Sequence, residues 1–339
     1  MMKNAKKIIA DFSKARILVI GDLILDEYIK GDVERISPEA PVPVVRVKEH
    51  FHAPGGAANV AGNLASFGAS VTLAGVVGND KNRDILLEEL RKRGINTEAV
   101  VEEKGRRTTL KSRVIARNQQ VVRVDWEDVH NLQPQTRDKL RDFIQSRVKG
   151  FDAVIVEDYG KGVIDKFLLN IIISEANKYK KIITVDPKEE HFELYKKVTA
   201  ITPNRKEAQN ALRDLKMKDD KNAFKIYNDE LITDGDIRKA GSALMEHLEL
   251  ESLLLTLGEH GMELFEKGKE PRHIPTVAQD VFDVSGAGDT AIATFTLSLC
   301  AGASKLEAAM IANYAAGIVV GIVGTATITR KELIDRIER

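Results

Sequence analysis

The sequence has a single cysteine, Cys300, so no disulfide can form within the chain. That cysteine lies in an apolar helical pattern, where a thiol is expected to be buried and inert. Excess charge is absent too. Lysine plus arginine and aspartate plus glutamate both number 51, which argues against a nucleic-acid or membrane-surface partner. No long hydrophobic run occurs. The longest, AAGIVVGIVGTA over 315–326, is too short to span a bilayer and contains three glycines. The opening MMKNAKKIIADFSKARILVIGD breaks every apolar run with charge and does not resemble a signal peptide. These absences make a cytoplasmic protein the expectation. The seven histidines, at 50, 52, 130, 191, 247, 260 and 273, show no zinc-ligand spacing, and no zinc is expected. A GxxxxGK[ST] phosphate loop is also missing.

What is present is an alternation. ILVIG (17–21), VTLAGVVG (71–78), AVIVEDY (153–159), IITVDP (182–187) and LLLTLG (253–258) have the β-branched content and following turn residues of buried strands. Helical periodicity falls near 57–67, 80–93, 134–148, 166–179, 205–214, 236–248, 287–300, 305–321 and 330–338. Repeated βαβ units predict a mostly parallel sheet covered on both faces. The 339 residues, 43% apolar, can bury one large α/β core. Two stretches break the rhythm, about 32–53 and 108–126. Their strand-like alternation without helices predicts a small antiparallel β-layer, inserted twice and placed to act as a lid or a dimer contact. Residues 214–236 are charged and irregular, as in a surface excursion.

The stretch FDVSGAGDT (282–290) sets one acid, Asp289, in a run of small residues before an apolar helix. Gly286, Ala287 and Gly288 allow close backbone approach, and the N–H groups of a helix start attract anions. G286-A-G288-D-T-A291 formally fits a dinucleotide fingerprint. It lies near the wrong end of the chain, however, its downstream acid Glu307 falls in a helical stretch, and Asp289 would repel a pyrophosphate. Phosphoryl transfer fits better. The loop amides would hold the migrating phosphoryl group while Asp289 takes the proton of the attacking hydroxyl. From these nine residues alone an ordinary aspartate N-cap is equally open.

Three motifs carry a resemblance along essentially the whole chain. DVSGAGDT (283–290) resembles the C-terminal signature of the ribokinase-like, or PfkB, carbohydrate kinases. PGGAANVAGNLASFGA (54–69) is similar to their N-terminal signature, and TPNRKE (202–207) to their N-x-x-E motif. Within that family, GDLILDEYIKGDVERISPEAPVPVVRV (21–47), ARNQQVVRVD (116–125), EDYGKG (157–162) and DVFDVSGAGDT (280–290) resemble the bacterial heptose-phosphate kinases of lipopolysaccharide-core precursor synthesis. Ser285 stands where threonine is commoner, which preserves the hydroxyl. Such relatives often carry a fused nucleotidyltransferase with an HxGH motif. None occurs here, so a kinase alone is expected.

The resemblance implies one ribokinase-like domain over 1–339, a three-layer α/β/α fold with a small β-sheet lid. It implies Asp289 as general base, with the amides of Gly286, Ala287, Gly288 and Asp289 as an anion cradle. Asn204 and Glu207 would organise Mg²⁺ and the ATP phosphates through water, although Asn as helix cap and Glu in the first turn is the compatible structural role. Asp22, Asp26, Gly55, Gly56 and Asn59 would contact the sugar, with Asn118 and Gln119 reaching from the lid and Asp158 from the core. Lys111, Arg113, Arg117 and Lys161 are candidates for a 7-phosphate clamp. Thr256, Gly258 and Asn313 would line the adenine pocket. Asp283 and Ser285 would offer oxygens to a monovalent cation such as K⁺, which some members use. Trp126 is expected to pack rather than bind ligand. A homodimer through the lid is expected, because exposed strand edges seek partners.

Overall fold

The computed structural model describes residues 4–117, 119–218, 230–278, 281, 283–322, 324 and 326–338. Asn118, Phe282 and residues 219–229 of the excursion expected at 214–236 therefore lie outside the described residues.

Among the described residues, thirteen strands form two sheets. They are β1 (Arg16–Gly21), β2 (Leu23–Ile36), β3 (Pro43–Gly56), β4 (Ser70–Val77), β5 (Asn96–Glu102), β6 (Thr109–Ala116), β7 (Gln119–Trp126), β8 (Ala153–Glu157), β9 (Ile182–Asp186), β10 (Ala200–Ile201), β11 (Ser252–Thr256), β12 (Met262–Glu266) and β13 (Arg272–Ile274). The helices are α1 (Ala5–Asp11), α2 (Ala57–Ser66), α3 (Lys81–Lys92), α4 (Pro134–Arg147), α5 (Lys166–Lys178), α6 (Arg205–Lys218), α7 (Asp234–His247), α8 (Ala287–Cys300), α9 (Lys305–Val319) and α10 (Arg330–Glu338).

The large sheet has nine strands in the order β13-β12-β11-β10-β9-β8-β1-β4-β5. Pairing is parallel from β11 through β5, and the last two strands, β12 and β13, close the other edge antiparallel. Both faces are covered, as the continuous apolar runs require. Alternate residues of β1 show it. Leu18 and Ile20 pack into a core with α4, α5, α6 and α7, while Ile17 and Val19 pack into one with α2, α3, α8 and α9. This is the three-layer ribokinase-like architecture expected from the sequence. Among the described residues, no helix is long and apolar enough to cross a membrane.

The smaller sheet has the order β3-β2-β6-β7. The pairs β2–β3 and β6–β7 are antiparallel, but β2 and β6 run parallel, so the layer is mixed rather than antiparallel throughout. The reason is topological. Between β3 and β6 the chain returns through α2, β4, α3 and β5, and it re-enters the layer from the same end as β2. Every residue of β7 is exposed, including Trp126 at 51%, so this tryptophan has little packing within the chain.

Candidate active site

Three parallel strands end in acids at one edge of the large sheet. Asp22 follows β1, Glu157 ends β8 and Asp186 ends β9. In open α/β sheets this carboxyl edge is where ligands gather. Helix α8 enters the same corner, with Gly286 at its N-cap in the left-handed region (φ 80°) and Asp289 in its first turn. Residues 289–298 of α8 are buried, so Asp289 is 7% exposed although its helix starts at the site.

Asp289 is gripped from two sides. Asn59 Nδ2 on α2 donates to Oδ2 at 2.6 Å, and the Tyr159 hydroxyl donates to Oδ1 at 2.9 Å. Thr290 reinforces the contact by donating to Asn63 Oδ1 at 3.1 Å. Burial holds the Asp289 carboxyl above the usual carboxylate range, and Asp26 adds to this, while the hydrogen bonds from Asn59 and Tyr159 pull the other way. A raised value makes a carboxylate a better proton acceptor. Of the cradle amides, that of Ala287 donates to Val284 O at 3.3 Å; just beyond the cradle, Thr290 N–H donates to Gly286 O at 2.9 Å. Gly288 and Asp289 sit between these at the positive end of the helix.

The di-glycine turn ends β3 against β2. A Cβ on Gly55 would lie 2.7 Å from Asp26 Oδ2, and Gly56 takes φ +55° with its missing Cβ 2.7 Å from Asp22 O. Gly55 thus leaves room for the Asp26 carboxylate, and Gly56 for the main-chain carbonyl of Asp22. Asp26 pairs with Arg113 Nη1 at 2.6 Å; burial raises its carboxyl and Arg113 opposes that rise. Lys111 Nζ lies 2.8 Å from Asp125 Oδ2 and 3.6 Å from Glu127 Oε2, and Lys161 Nζ lies 2.8 Å from Glu127 Oε1. Lys111, Arg113 and Lys161 therefore share one corner of the lid with Asp26. Arg117 lies apart from them, after the end of β6 and within electrostatic reach of Asp32. Gln119 is exposed at the start of β7, where it faces Ala116.

Asp22 is 1% exposed and accepts the backbone N–H groups of Tyr159, Lys161 and Val163 at 2.9, 3.1 and 3.2 Å. It organises the EDYGKG loop. Burial, with Asp158 nearby, pushes its carboxyl up to about 6 against those three hydrogen bonds. Asp158 accepts from Gly160 N at 2.9 Å and Tyr195 Oη at 2.7 Å, and its Oδ2 lies 2.6 Å from His191 Nδ1.

On the other side of the acids, Asn204 and Glu207 form a reciprocal cap at the start of α6. Glu207 N donates to Asn204 Oδ1 at 2.9 Å, and Asn204 N to Glu207 Oε2 at 2.8 Å. Burial raises the Glu207 carboxyl, and Glu189 adds to this while Asn204 and Lys188 oppose it. Thr256 bridges Asn204 in parallel fashion, and Gly258 opens the turn between β11 and β12 with φ +62°. Asn313 on α9 is buried and donates to Pro275 O at 2.8 Å. Asp283 accepts from Ser285 N and Gly324 N, each at 2.9 Å, which ties the loop before α8 to the chain after α9. Glu307, the acid a dinucleotide fingerprint would need, accepts from Ser304 N and Oγ as the cap of α9.

Several residues of this corner escape a motif-based reading. Glu157 is 0% exposed, and neither carboxylate oxygen has a hydrogen-bond partner among the described residues. Its ligand atom, with those of Asp186 and Asp289, falls in a group lying within 4.8 Å of one another. Burial keeps the carboxyls of Glu157 and Asp186 well above their ordinary range, and repulsion adds to it, chiefly from Asp186 on Glu157 and from Glu207 on Asp186. Oxygen-only donors with unused lone pairs suit a hard cation such as Mg²⁺. Glu157 and Tyr159 lie inside EDYGKG and Asp186 inside ITVDP, so acids at strand ends were the signal available. Arg106 gave no such signal. It is buried against Glu103 at 2.8 Å and donates to the carbonyls of Lys161 and His130, bracing the loop from behind.

The "Bifunctional protein HldE" of Desulfatibacillum aliphaticivorans is 44% identical over 322 residues, covering 95% of this chain and 63% of that protein. The protein of the same name from Helicobacter pylori strain J99 is 46% identical over 318 residues, covering 94% and 65%. This chain thus spans somewhat less than two thirds of the length of these relatives. Phosphofructokinase-2 from Escherichia coli, in complex with substrates and products, superposes with a TM-score of 0.78 at 20% identity, covering 95% of this chain and 98% of that one, which shows a shared fold. Residues 14–332 match the pfkB family of carbohydrate kinases, and the chain belongs to that family of sugar kinases.

Proposed function

We propose that the protein transfers the γ-phosphoryl group of ATP to the C1 hydroxyl of D-glycero-β-D-manno-heptose 7-phosphate, forming the 1,7-bisphosphate and ADP for ADP-heptose and lipopolysaccharide-core precursor synthesis. The observation that carries this reading is the position of Asp289. It is a desolvated carboxylate in the first turn of α8, held by Asn59 and Tyr159 and adjoining the backbone amides of Gly288 and Asp289. The choice of a heptose phosphate rests on the motifs at 21–47, 116–125 and 157–162.

In this reading the sugar lies between the di-glycine turn and the lid, with Asp26, Asn59 and Asp22's loop around its hydroxyls. Lys111, Arg113 and Lys161 face the 7-phosphate, exchanging their bonds to Asp125, Asp26 and Glu127 for charge-assisted bonds to it. Asp289 takes the C1 hydroxyl proton as that oxygen bonds to the γ-phosphorus, and the bond to the β–γ bridging oxygen breaks to release ADP. The amides at the start of α8 hold the equatorial oxygens of the migrating group. Glu157 and Asp186, with Asn204 and Glu207 acting through water, would hold Mg²⁺, which neutralises phosphate charge when bound. Thr256, Gly258 and Asn313 flank the adenine. A monovalent cation such as K⁺ would sit at the loop of Asp283 and Ser285, using lone pairs that the backbone N–H groups leave free.

A cytoplasmic homodimer through the lid belongs to the same reading. Its support is the wholly exposed β7 edge, with Val121, Val122, Val124 and Trp126 open to solvent. The test is ADP release with heptose 7-phosphate, ribose, fructose and fructose 6-phosphate in parallel. Heptose 7-phosphate should give the highest kcat/KM by at least about 100-fold, or about 2.7 kcal/mol. Preference for another sugar would reassign the substrate within the family, and turnover with none would make the chain a silent sugar-binding relative.

A further inference from the structure

The outer face of the lid carries a group of side chains that the kinase chemistry does not use. Side chains on a strand alternate between faces, so Asp26 points to the sugar side of β2 and Glu27 to the opposite side. His52 sits directly across from Glu27 on β3, and His50 lies two residues along the same strand on the same face. Their ligand atoms all fall within 4.8 Å of one another. His50 Nε2 is 2.8 Å and His52 Nε2 is 3.6 Å from Glu27 Oε1. The two imidazole rings meet edge to face with centroids 5.0 Å apart.

We propose that Glu27, His50 and His52 form a binding site for a divalent first-row transition metal of the zinc, nickel or copper class. Four ligands at about 2.0–2.1 Å in a tetrahedron stand about 3.3 Å apart, and the two nitrogen-to-oxygen distances bracket that value. The donor set is two imidazoles and one carboxylate, which favours these ions over Mg²⁺ or Ca²⁺. Glu27 is oriented from behind, because the Ser112 hydroxyl on β6 donates to its other oxygen, Oε2, and leaves Oε1 turned toward the imidazoles. Ligating carboxylates are commonly held by such outer hydrogen bonds. All three side chains keep contact with solvent, which provides an entry path and leaves a fourth position for water.

A plain surface ion pair is the competing account of the same contacts, and it would be worth little. It does not explain why both imidazoles present Nε2 to one oxygen. The spacing along the chain hides the group, because a His-x-His pair supplies two donors and the third comes from the neighbouring strand. Bound metal would tie β2 to β3 at the residue after Asp26, so occupancy would stiffen the strand that presents Asp26 to the sugar.

The test is a Zn²⁺ titration of tag-free full-length protein, by calorimetry and by competition with a chromophoric chelator. Excess Mg²⁺ is included to occupy the oxygen-only acids near Asp289. One Zn²⁺ per chain should bind with a micromolar or tighter Kd. His50→Ala/His52→Ala should weaken it at least about 100-fold, since losing an outer hydrogen-bond partner alone costs about 10–100-fold. Ser112→Ala, which leaves all three ligands in place, should weaken it by about 10-fold. No binding below about 100 μM by the parent protein, or unchanged affinity in the folded double variant, would overturn the site. Either result leaves the kinase reading untouched, because neither histidine belongs to that machinery.

Discussion

The Asn59 carboxamide donates to Oδ2 of Asp289 over 2.6 Å, across a separation of 230 residues. It joins the first turn of α2 to the first turn of α8, so the two signature motifs meet through their side chains. The Tyr159 hydroxyl completes the grip on Oδ1. A carboxylate fixed in this way has one plane and one direction in which to accept a proton, which is the geometric demand on a general base.

Asp289→Asn removes the proton acceptor and keeps the side-chain volume. Turnover should fall by about 10²–10⁴-fold while the Kd for ATP stays within about threefold. Rapid-quench turnover and equilibrium nucleotide binding measure the two separately. Near-normal turnover would remove Asp289 from the reaction.

Tyr159→Phe deletes a hydrogen bond that favours the ionised form of Asp289. The Asp289 carboxyl should rise further, and the acid limb of kcat/KM against pH should move to higher pH. A hydrogen bond to a charged group is worth about 1.5–3 kcal/mol, so a shift of about one to two pH units is expected. A limb that stayed in place, or moved down, would show that another group sets it.

Gly55→Ala puts a methyl 2.7 Å from Asp26 Oδ2, while Arg113 holds the carboxylate by its other oxygen, Oδ1. Asp26 must swing, so KM for the sugar should rise about tenfold, or about 1.4 kcal/mol, with KM for ATP unchanged. Equal effects on both substrates would place the disturbance elsewhere.

Arg106→Ala takes the cationic partner from the buried Glu103 carboxylate, which keeps the Gln133 N–H, and frees the carbonyls of Lys161 and His130. Breaking one partner of a buried pair costs about 3–5 kcal/mol. Urea unfolding should record a loss in that range, and a loss under about 1 kcal/mol would mean the loop is braced by something else.

His191 is held above its ordinary value by its hydrogen bond to Asp158, against a smaller opposing effect of burial. Because the folded value is raised, the stabilisation is fully present below about pH 6.5 and is lost as pH rises through the folded value. His191→Gln should therefore lower Tm more at pH 6 than at pH 9. An equal deficit at both values would show that the imidazolium makes no contribution.

The large sheet was legible because periodicity is a local property. Strands β1, β4, β8, β9 and β11 appear as short apolar runs, and the helices from α2 to α10 as amphipathic or apolar patterns. The short elements were not. α1, β5, β10 and β13 are too brief or too polar for a pattern to stand out, and the parallel β2–β6 contact depends on the path of the chain between them.

The sequence alone determined which residues could do chemistry, because Gly-Ala-Gly-Asp before an apolar helix and a di-glycine turn before another are readable within a few residues. Only the tertiary structure decided what each charge faces. It turned Asp22 toward three backbone amides, left both oxygens of Glu157 without partners among the described residues, and brought Glu27 to two histidines on another strand. The reason is that a carboxylate's role follows from burial and from the donors around it. Those neighbours come from segments that meet only when the chain has folded.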